Sequence, residues 1–116
     1  MSPVTIQLLG DVAISDDAGE HRVLARRQPR TVLAFLVMER HRSVMRSELA
    51  DLLWEAALPD HWAGAVRGVV SKVRAFIDEA GDAEWLHSTA DGLRFVIPPE
   101  VTVDVEVHRS TVDAAD

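Results

Sequence analysis

The stretch from Ala65 to Gly81, AVRGVVSKVRAFIDEAG, separates its residues onto two sides of a helix. Its apolar residues recur at spacings of three and four and form one stripe, which consists of Val66, Val69, Val70, Val73, Phe76 and Ile77. The opposite side carries polar residues, namely Arg67, Ser71, Lys72, Arg74 and Asp78. The stretch therefore predicts an amphipathic helix with one face in a core. Its other face either binds a partner or only keeps the helix solvated.

The segments before this helix predict three strands and two further helices. VTIQLLG, DVAISDD and HRVLA are rich in β-branched residues and are separated by turn residues, so they predict an antiparallel meander. A first helix is predicted from Gln28 to Arg42, with Pro29 in its first turn, where a missing N–H does no harm. RSELADLLWEA predicts a second helix, which Leu58-Pro59-Asp60 ends.

The third helix is predicted from Trp62 to Ala80, with Gly81 as its stop. EWLHSTADGLRFVIPP then predicts a β-hairpin with Ala90-Asp91-Gly92 as its turn. Strands, three helices and a terminal hairpin in this order predict an α+β fold of the winged helix-turn-helix type. Because composition changes at Pro98-Pro99 and helical periodicity is lost afterwards, we expect a domain over residues 1–97 and an acidic tail or linker over 98–116.

Composition excludes several classes of function. The 116 residues are 47% hydrophobic and 27% charged, which is typical of one globular domain. No apolar run approaches the roughly 18–20 residues of a membrane span, and the N-terminus has no signal-type pattern, so we expect a cytoplasmic protein without a membrane partner. The chain has no cysteine, and its five histidines never fall three or four residues apart. We therefore expect no metal site and no cofactor.

No motif of an enzyme or of a small-molecule site is present. The sequence has no glycine-rich phosphate loop and no nucleophile motif, and Glu48, Asp51 and Glu55 on the second helix have no partner motif. These acids are explained by a solvated helix face. We therefore expect a protein without catalytic activity and without a small-molecule substrate.

The charge distribution is uneven. The formal net charge is -7, which disfavours a nucleic-acid partner. Between Arg22 and Arg46, however, seven arginines stand against Glu39 alone, a net charge of +6. The acidic excess is concentrated in residues 98–116, whose net charge is -4. The arginine-rich segment is therefore either a phosphate-binding surface or a solvated helix flank.

Five segments in a fixed order resemble the N-terminal DNA-binding domain of the streptomycete antibiotic regulatory protein (SARP) family, whose winged helix is of the OmpR type. They are LLGDV, RRQPRTVLAFLVMERHRSVMRSELADLLW, AVRGVVSKVRAFIDEAG, DGLRFVIP and VDVEVHR, and together they span nearly the whole chain. The most specific features are Leu53-Trp54 at the end of the second helix, the run VSKVRAFI, Arg30 at the start of the first helix, and Gly92 followed by Arg94.

The resemblance implies sequence-specific binding of double-stranded DNA by a bacterial transcriptional regulator, with the third helix in the major groove. Arg67, Ser71 and Arg74 would then face base edges or nearby phosphates, because a guanidinium can bridge the N7 and O6 acceptors of guanine. Lys72 would contact phosphate.

The same resemblance assigns DNA contacts outside the third helix. Arg46 and Ser47 open the second helix, where free N–H groups favour an anion, and Arg94 would reach from the wing toward the minor groove. Arg30 is a further candidate contact. In the family VDVEVHR leads into a helical effector domain, so RNA polymerase or a second copy of the chain are further candidate partners.

The sequence also departs from the family pattern. Met45 stands where a serine usually caps the second helix, Leu93 replaces the wing tyrosine, and Thr89 stands where a basic residue is common. Gly64 and Gly68 reduce helix propensity in the third helix, so they imply close approach to another surface, a loosely held first turn, or packing against the second helix. The alternative function is a winged-helix module for protein interaction or dimerisation that has lost DNA binding.

Overall fold

The computed structural model describes residues 4–16, 18–90 and 92–105, and it has the predicted mixed α+β fold with three helices. The strands are β1 (Thr5–Gln7), β2 (Ala13–Ser15), β3 (His21–Val23), β4 (Val44–Met45), β5 (Leu86–Ser88), β6 (Gly92–Phe95) and β7 (Thr102–Val103). The helices are α1 (Arg27–Met38), α2 (Arg46–Leu53) and α3 (Trp62–Ala80), followed by a 3-10 turn at Ala83–Trp85.

The first sheet contains the predicted N-terminal meander. Its strand order is β3-β2-β1-β7, with β2 antiparallel to both β1 and β3. The turn between β2 and β3 is closed by the Asp16 carboxylate, which accepts hydrogen bonds from the N–H groups of Ala18 and Glu20, both at 2.9 Å. Gly19 follows at φ +88°, a left-handed conformation that glycine adopts without a steric cost.

The second sheet carries the hairpin. Its strand order is β4-β6-β5, and both pairings are antiparallel. Strand β4 was not predicted, because two residues are too short to show an alternating pattern. The β5–β6 hairpin, residues 86–95, is called the wing from here on.

The core lies between the two sheets and the three helices. The six apolar residues predicted for the stripe of α3 are the six that α3 buries, so that prediction is confirmed. The largest fully buried side chains come from all parts of the chain and include Ile6, Ile14, Leu33, Leu36, Leu49, Ile77, Leu93 and Phe95. The third helix therefore rests on the other elements along its whole length and presents its opposite face outward.

Two predicted helices end earlier than expected. Helix α1 ends at Met38, because Glu39 leaves the helical conformation with φ -103° and ψ 21°, and the chain then turns to bring β4 beside β6. Helix α2 ends at Leu53, because Trp54 leaves the helical conformation with φ -131° and ψ 73°. The eight residues from Trp54 to His61 then connect α2 to α3.

Packing continues past the predicted boundary at residue 97. Strand β7 pairs in parallel with β1, and Val101 and Val103 are buried in the core. The Asp104 carboxylate accepts hydrogen bonds from the N–H groups of Leu8 at 2.7 Å and Leu9 at 3.2 Å. Residues 98–105 are thus part of the packed structure rather than a tail. A tail or linker over 106–116 stays a prediction, since those residues lie outside the described part of the chain.

Removal of the Asp104 carboxylate should loosen the junction between β1 and β7. Because Asp104→Ala leaves two backbone N–H groups without their acceptor, we expect the free energy of unfolding to fall by about 1–2 kcal/mol. Urea denaturation followed by tryptophan fluorescence measures this change. Glu100→Ala, which removes an exposed acid from the same segment, is the matched control and should leave the midpoint unchanged. Equal midpoints for Asp104→Ala and the parent would contradict the role of the carboxylate.

Candidate nucleic-acid interface

The outer face of α3 is exposed and cationic. Arg67, Ser71 and Lys72 are all exposed, and none of them makes a hydrogen bond or ion pair within the described part of the chain. Residues 62–75 contain three cations and no acid, in a chain whose net charge is -7. The face predicted from the sequence is therefore available to an external partner.

The polar residues of α3 point in different directions around the helix. Ser71 lines a shallow groove together with Arg74 and Asp78, whereas Lys72 lines a cleft beside Arg26 and Pro29 at the start of α1. Successive residues of a helix are about 100° apart, which accounts for this division. Lys72 therefore lies on the α1 flank of the outer face, and Arg74 lies on the other flank.

Arg74 has a structural role that the sequence did not reveal. One guanidinium nitrogen donates to the Leu86 carbonyl at 2.9 Å, and the other donates to the Ser88 hydroxyl at 3.0 Å. Both acceptors belong to β5, the first strand of the wing. The half-buried Arg74 thus connects α3 to the wing, and a contact between Arg74 and DNA stays a prediction. No pattern in the sequence identifies Ser88 as its partner.

Gly64 and Gly68 lie on the exposed side of α3. A Cβ atom built on either glycine has no atom within 4 Å outside the local helix backbone. Packing against α2 is therefore not the reason for these glycines, which corrects one of the three interpretations offered by the sequence. Both positions leave the α3 backbone open to close approach from outside.

Replacing these glycines should make the isolated protein more stable. Because Gly64→Ala and Gly68→Ala add a methyl group in open space, each is expected to raise the free energy of unfolding by up to about 1 kcal/mol through helix propensity. Thermal denaturation followed by circular dichroism measures the effect. Gly19→Ala is the opposite control, since its φ of +88° disfavours alanine and should lower the melting temperature. A loss of stability in Gly68→Ala would show that the helix needs glycine there for an internal reason.

The N-terminus of α2 already holds a carboxylate. Glu48 accepts a hydrogen bond from the Met45 N–H at 2.8 Å and pairs with Arg42 at 2.8 Å. Arg46 is half-buried and Ser47 exposed, and neither has a hydrogen-bonding side-chain partner in the described residues. The Glu48 carboxylate already accepts a hydrogen bond from one of the N–H groups at this helix end. The predicted phosphate contact therefore depends on the Arg46 and Ser47 side chains.

Electrostatic effects at this helix end follow from the same contacts. The hydrogen bond from Arg42, and then that from the Met45 N–H, lowers the pKa of Glu48 below its ordinary value. Glu48 and Glu39 in turn raise the pKa of Arg42 above its ordinary value. Arg42 is thus committed to two carboxylates and does not contribute a free cation to the arginine-rich segment.

The wing presents one predicted contact, Arg94. It is exposed on β6 opposite His87 of β5, and it makes no hydrogen bond or ion pair with the rest of the described chain. Leu93 is fully buried, so the residue that replaces the family's tyrosine belongs to the core. Thr89 closes the turn instead of contributing charge, because its hydroxyl accepts a hydrogen bond from the Gly92 N–H at 2.9 Å. Asp91, predicted in this turn, lies outside the described residues.

Arg30 belongs to a separate basic cluster at the start of α1. Arg26, Arg27 and Arg30 are all exposed there. Its neighbour Thr31 lines a cleft of about 310 Å³ with Leu53 and Trp54 at the end of α2. The start of α1 therefore lies near the C-terminal end of α2, whereas Arg46 and Ser47 open that helix. Lys72 of α3 shares a second cleft with Arg26.

The three tryptophans differ in burial. Trp85 is buried and meets Phe95 edge to face, with ring centroids 6.3 Å apart, as expected for a core residue. Trp54 is half-buried where the chain leaves α2, and it packs against the core. Trp62 is half-buried at the start of α3 and packs against the core.

The described residues show neither a metal site nor a membrane span. No group of three or more histidine, aspartate or glutamate side chains could hold a metal ion among them. None of the helices found there combines the length and the apolar character needed to cross a bilayer.

Comparison with known proteins shows a similarity to a solved structure. No protein-family model and no curated protein matches the sequence. Among solved structures, the chain is similar to Mycobacterium tuberculosis EmbR, described in complex with a low-affinity phosphopeptide, at 30% identity and a TM-score of 0.73. The match covers 90% of this chain but 28% of the EmbR chain, so it spans little more than a quarter of that protein. The described structure therefore shares the winged-helix fold of EmbR, which supports a transcription-regulator domain in general.

Proposed function

We propose that this chain is a sequence-specific DNA-binding domain of a cytoplasmic bacterial transcriptional regulator of the SARP type. Helix α3 enters the major groove of double-stranded DNA as the recognition helix, and the wing lies near the adjacent minor groove. The observation that carries the proposal is the exposed outer face of α3, where Arg67, Ser71 and Lys72 have no internal hydrogen-bonding partner among the described residues. The similarity to EmbR, a regulator rather than an enzyme, supports it.

The shape of the recognition helix suits a groove. B-DNA's major groove, about 12 Å wide, admits one α-helix, and a helix approaches the bases closely when its outward side chains are small. At Gly64 and Gly68 no side chain projects from α3, and no other described residue fills the space outside them. Arg67 lies on the same exposed side and is long enough to reach a base edge beyond them.

Phosphate contacts surround this face. Arg46 and Ser47 at the start of α2 and Arg94 on the wing are candidates, with Lys72 and Arg30 on the α1 flank. Such contacts displace counterions from DNA, so binding should weaken steeply with salt. The acidic net charge of -7 does not prevent this, because residues 22–46 carry a net charge of +6 and residues 62–75 contain three cations and no acid.

One observation favours the alternative function of a protein-interaction or dimerisation module. The wing surface offers Arg94 as its one described cation, and exposed apolar side chains lie around it, with Met45 52% and Val96 45% exposed. A surface of this composition suits a protein partner better than a phosphate backbone. RNA polymerase or a second copy of the chain would be partners of that kind, and they are compatible with DNA binding through α3.

Two substitutions separate base reading from phosphate contact. Arg67→Ala should remove about 1–3 kcal/mol of discrimination at one base position, whereas Arg46→Ala should weaken all sequences about equally and flatten the salt slope by about one unit. Both variants and the parent are titrated with a selected operator and a scrambled duplex at several salt concentrations. Circular dichroism confirms that each variant is folded.

A charge-matched control is available on the first sheet. Arg22→Ala removes an exposed arginine of β3 that is not among the proposed contacts, so it should leave operator preference unchanged. If folded Arg67→Ala binds both duplexes as the parent does, α3 does not read DNA. The protein-interaction function then becomes the better explanation of the fold.

A further inference from the structure

Arg74 joins two elements that are both proposed to contact DNA. Its backbone belongs to the recognition helix, and its guanidinium donates to the Leu86 carbonyl at 2.9 Å and to the Ser88 hydroxyl at 3.0 Å. The two acceptors are two residues apart on β5, so the planar guanidinium spans adjacent sites along one side of the strand. Two hydrogen bonds from one planar guanidinium fix both the distance and the angle between α3 and β5.

The Leu86 carbonyl is available because β5 is an edge strand. The Trp85 carbonyl accepts a hydrogen bond from the Val96 N–H, and the Thr89 N–H donates to the Gly92 carbonyl. Residues 85 and 89 therefore use the ladder with β6, and in an antiparallel pair the alternate residues 86 and 88 turn their polar groups the other way. This alternation leaves the Leu86 carbonyl on the free edge of β5, where it accepts the hydrogen bond from Arg74.

The position of Arg74 on α3 fits this contact. Arg74 lies two turns after Arg67 and is half-buried, whereas Arg67 and Ser71 are exposed. Its hydrogen bonds run toward the wing, to Leu86 and Ser88. A guanidinium held by two acceptors is poorly placed to read a base as well.

We propose that Arg74 is a positioning residue that holds the wing at a fixed place relative to the recognition helix, so that α3 and Arg94 engage one DNA duplex together. This inference rests on the proposed DNA-binding function. Arg74 then contributes to affinity through the placement of Arg94, and not through a phosphate of its own.

The two roles of Arg74 predict different results. If Arg74 itself contacted a phosphate, the double variant Arg74→Ala/Arg94→Ala would have a salt slope about one unit flatter than that of Arg94→Ala, and Ser88→Ala would bind as the parent does. If Arg74 only positions the wing, the double variant has the same salt slope as Arg94→Ala, and Ser88→Ala reproduces part of the loss of binding. A positioning role also makes the effect of Arg94→Ala depend on whether Arg74 is present.

The experiment measures operator binding at several salt concentrations for the parent, Arg74→Ala, Arg74→Lys, Ser88→Ala and Arg94→Ala, with the double variant Arg74→Ala/Arg94→Ala. We expect Arg74→Ala to weaken operator binding about tenfold, because both hydrogen bonds that hold the wing against α3 are lost. Arg74→Lys should recover part of this loss, because one ammonium reaches one acceptor at a time. Ser88→Ala should weaken binding by about threefold, because it removes one of the two acceptors. Arg94→Ala should have little further effect in the Arg74→Ala background.

Several outcomes would overturn the inference. They are additive effects of the Arg74 and Arg94 substitutions, a double variant whose salt slope is flatter than that of Arg94→Ala, and a Ser88→Ala protein that binds as the parent does. Ser43→Ala, an exposed serine outside the wing, is the matched control for Ser88→Ala and should bind normally. If Arg74→Ala does not fold, Ser88→Ala and its double variant with Arg94→Ala decide the question, because Ser88 is exposed. Failure of the parent to bind any duplex would instead overturn the proposed function itself.

Discussion

Gly92→Ala is expected to destabilise the domain by about 3 kcal/mol, because it forces two strands apart. A Cβ atom on Gly92 would lie 2.0 Å from the Val44 carbonyl oxygen and 2.9 Å from the Met45 Cα atom. Both are backbone atoms of β4, so no side-chain movement relieves the contact. The sequence placed Gly92 in a turn, but the structure shows that it opens β6 and is needed there for close approach to β4.

The effect of Gly92→Ala should be measured by urea denaturation with tryptophan fluorescence as the signal. Gly68→Ala is the matched control, since it adds the same methyl group in open space and should not destabilise the fold. A Gly92→Ala midpoint equal to that of the parent would mean that β4 and β6 separate without cost. It would also show that β4 contributes little to holding the wing in place.

Phe95→Ala should be the most destabilising substitution in the wing, with an expected loss of about 3–5 kcal/mol. Phe95 is fully buried, lies opposite Leu86 in β5, and meets the Trp85 ring at an interplanar angle of 74°. The substitution leaves a cavity and also removes an edge-to-face ring pair worth about 0.5–1.5 kcal/mol. Small domains have a free energy of unfolding of only about 5–15 kcal/mol, so this loss would be a large part of the stability.

Thermal and urea denaturation of Phe95→Ala measure this loss directly. Phe35→Ala provides the comparison, because Phe35 is half-buried on α1 and its removal should cost clearly less. The tryptophan emission of Phe95→Ala should also change, since Trp85 loses its ring neighbour. Similar losses for the two variants would show that Phe95 is not a central packing residue.

Helix α3 shows what the sequence can predict. Its bounds, its stop at Gly81 and its buried stripe follow from a periodic pattern sustained over 19 residues. Such a pattern involves only residues that are close together in the sequence, so it can be recognised before the fold is known. The exposure of Arg67 and Ser71 follows from the same periodicity, which is why these candidate contacts lie where they were expected.

Strand β4 and the Arg74 contacts show where prediction from sequence stops. Val44 and Met45 form a strand only because Leu93 and Gly92 lie beside them in the fold, and no local pattern indicates that pairing. Arg74 repeats with Arg67 along the helix and was therefore predicted to have the same role, and the structure adds a contact with β5 that the sequence did not indicate. Both features arise from contacts between segments far apart in the chain.

The parallel pairing of β1 with β7 also affects the kinetics of folding. The helices meet through short stretches of chain, whereas this pairing joins Thr5 to Thr102 and closes nearly the whole chain into one loop. On a ribosome that adds about 5–20 residues each second, the free edge of β1 waits on the order of 5–20 s for its partner. During that interval the edge is open to strands of other chains. Aggregation of the nascent protein therefore depends on how soon Val101 and Val103 leave the ribosome, and not only on the stability of the core.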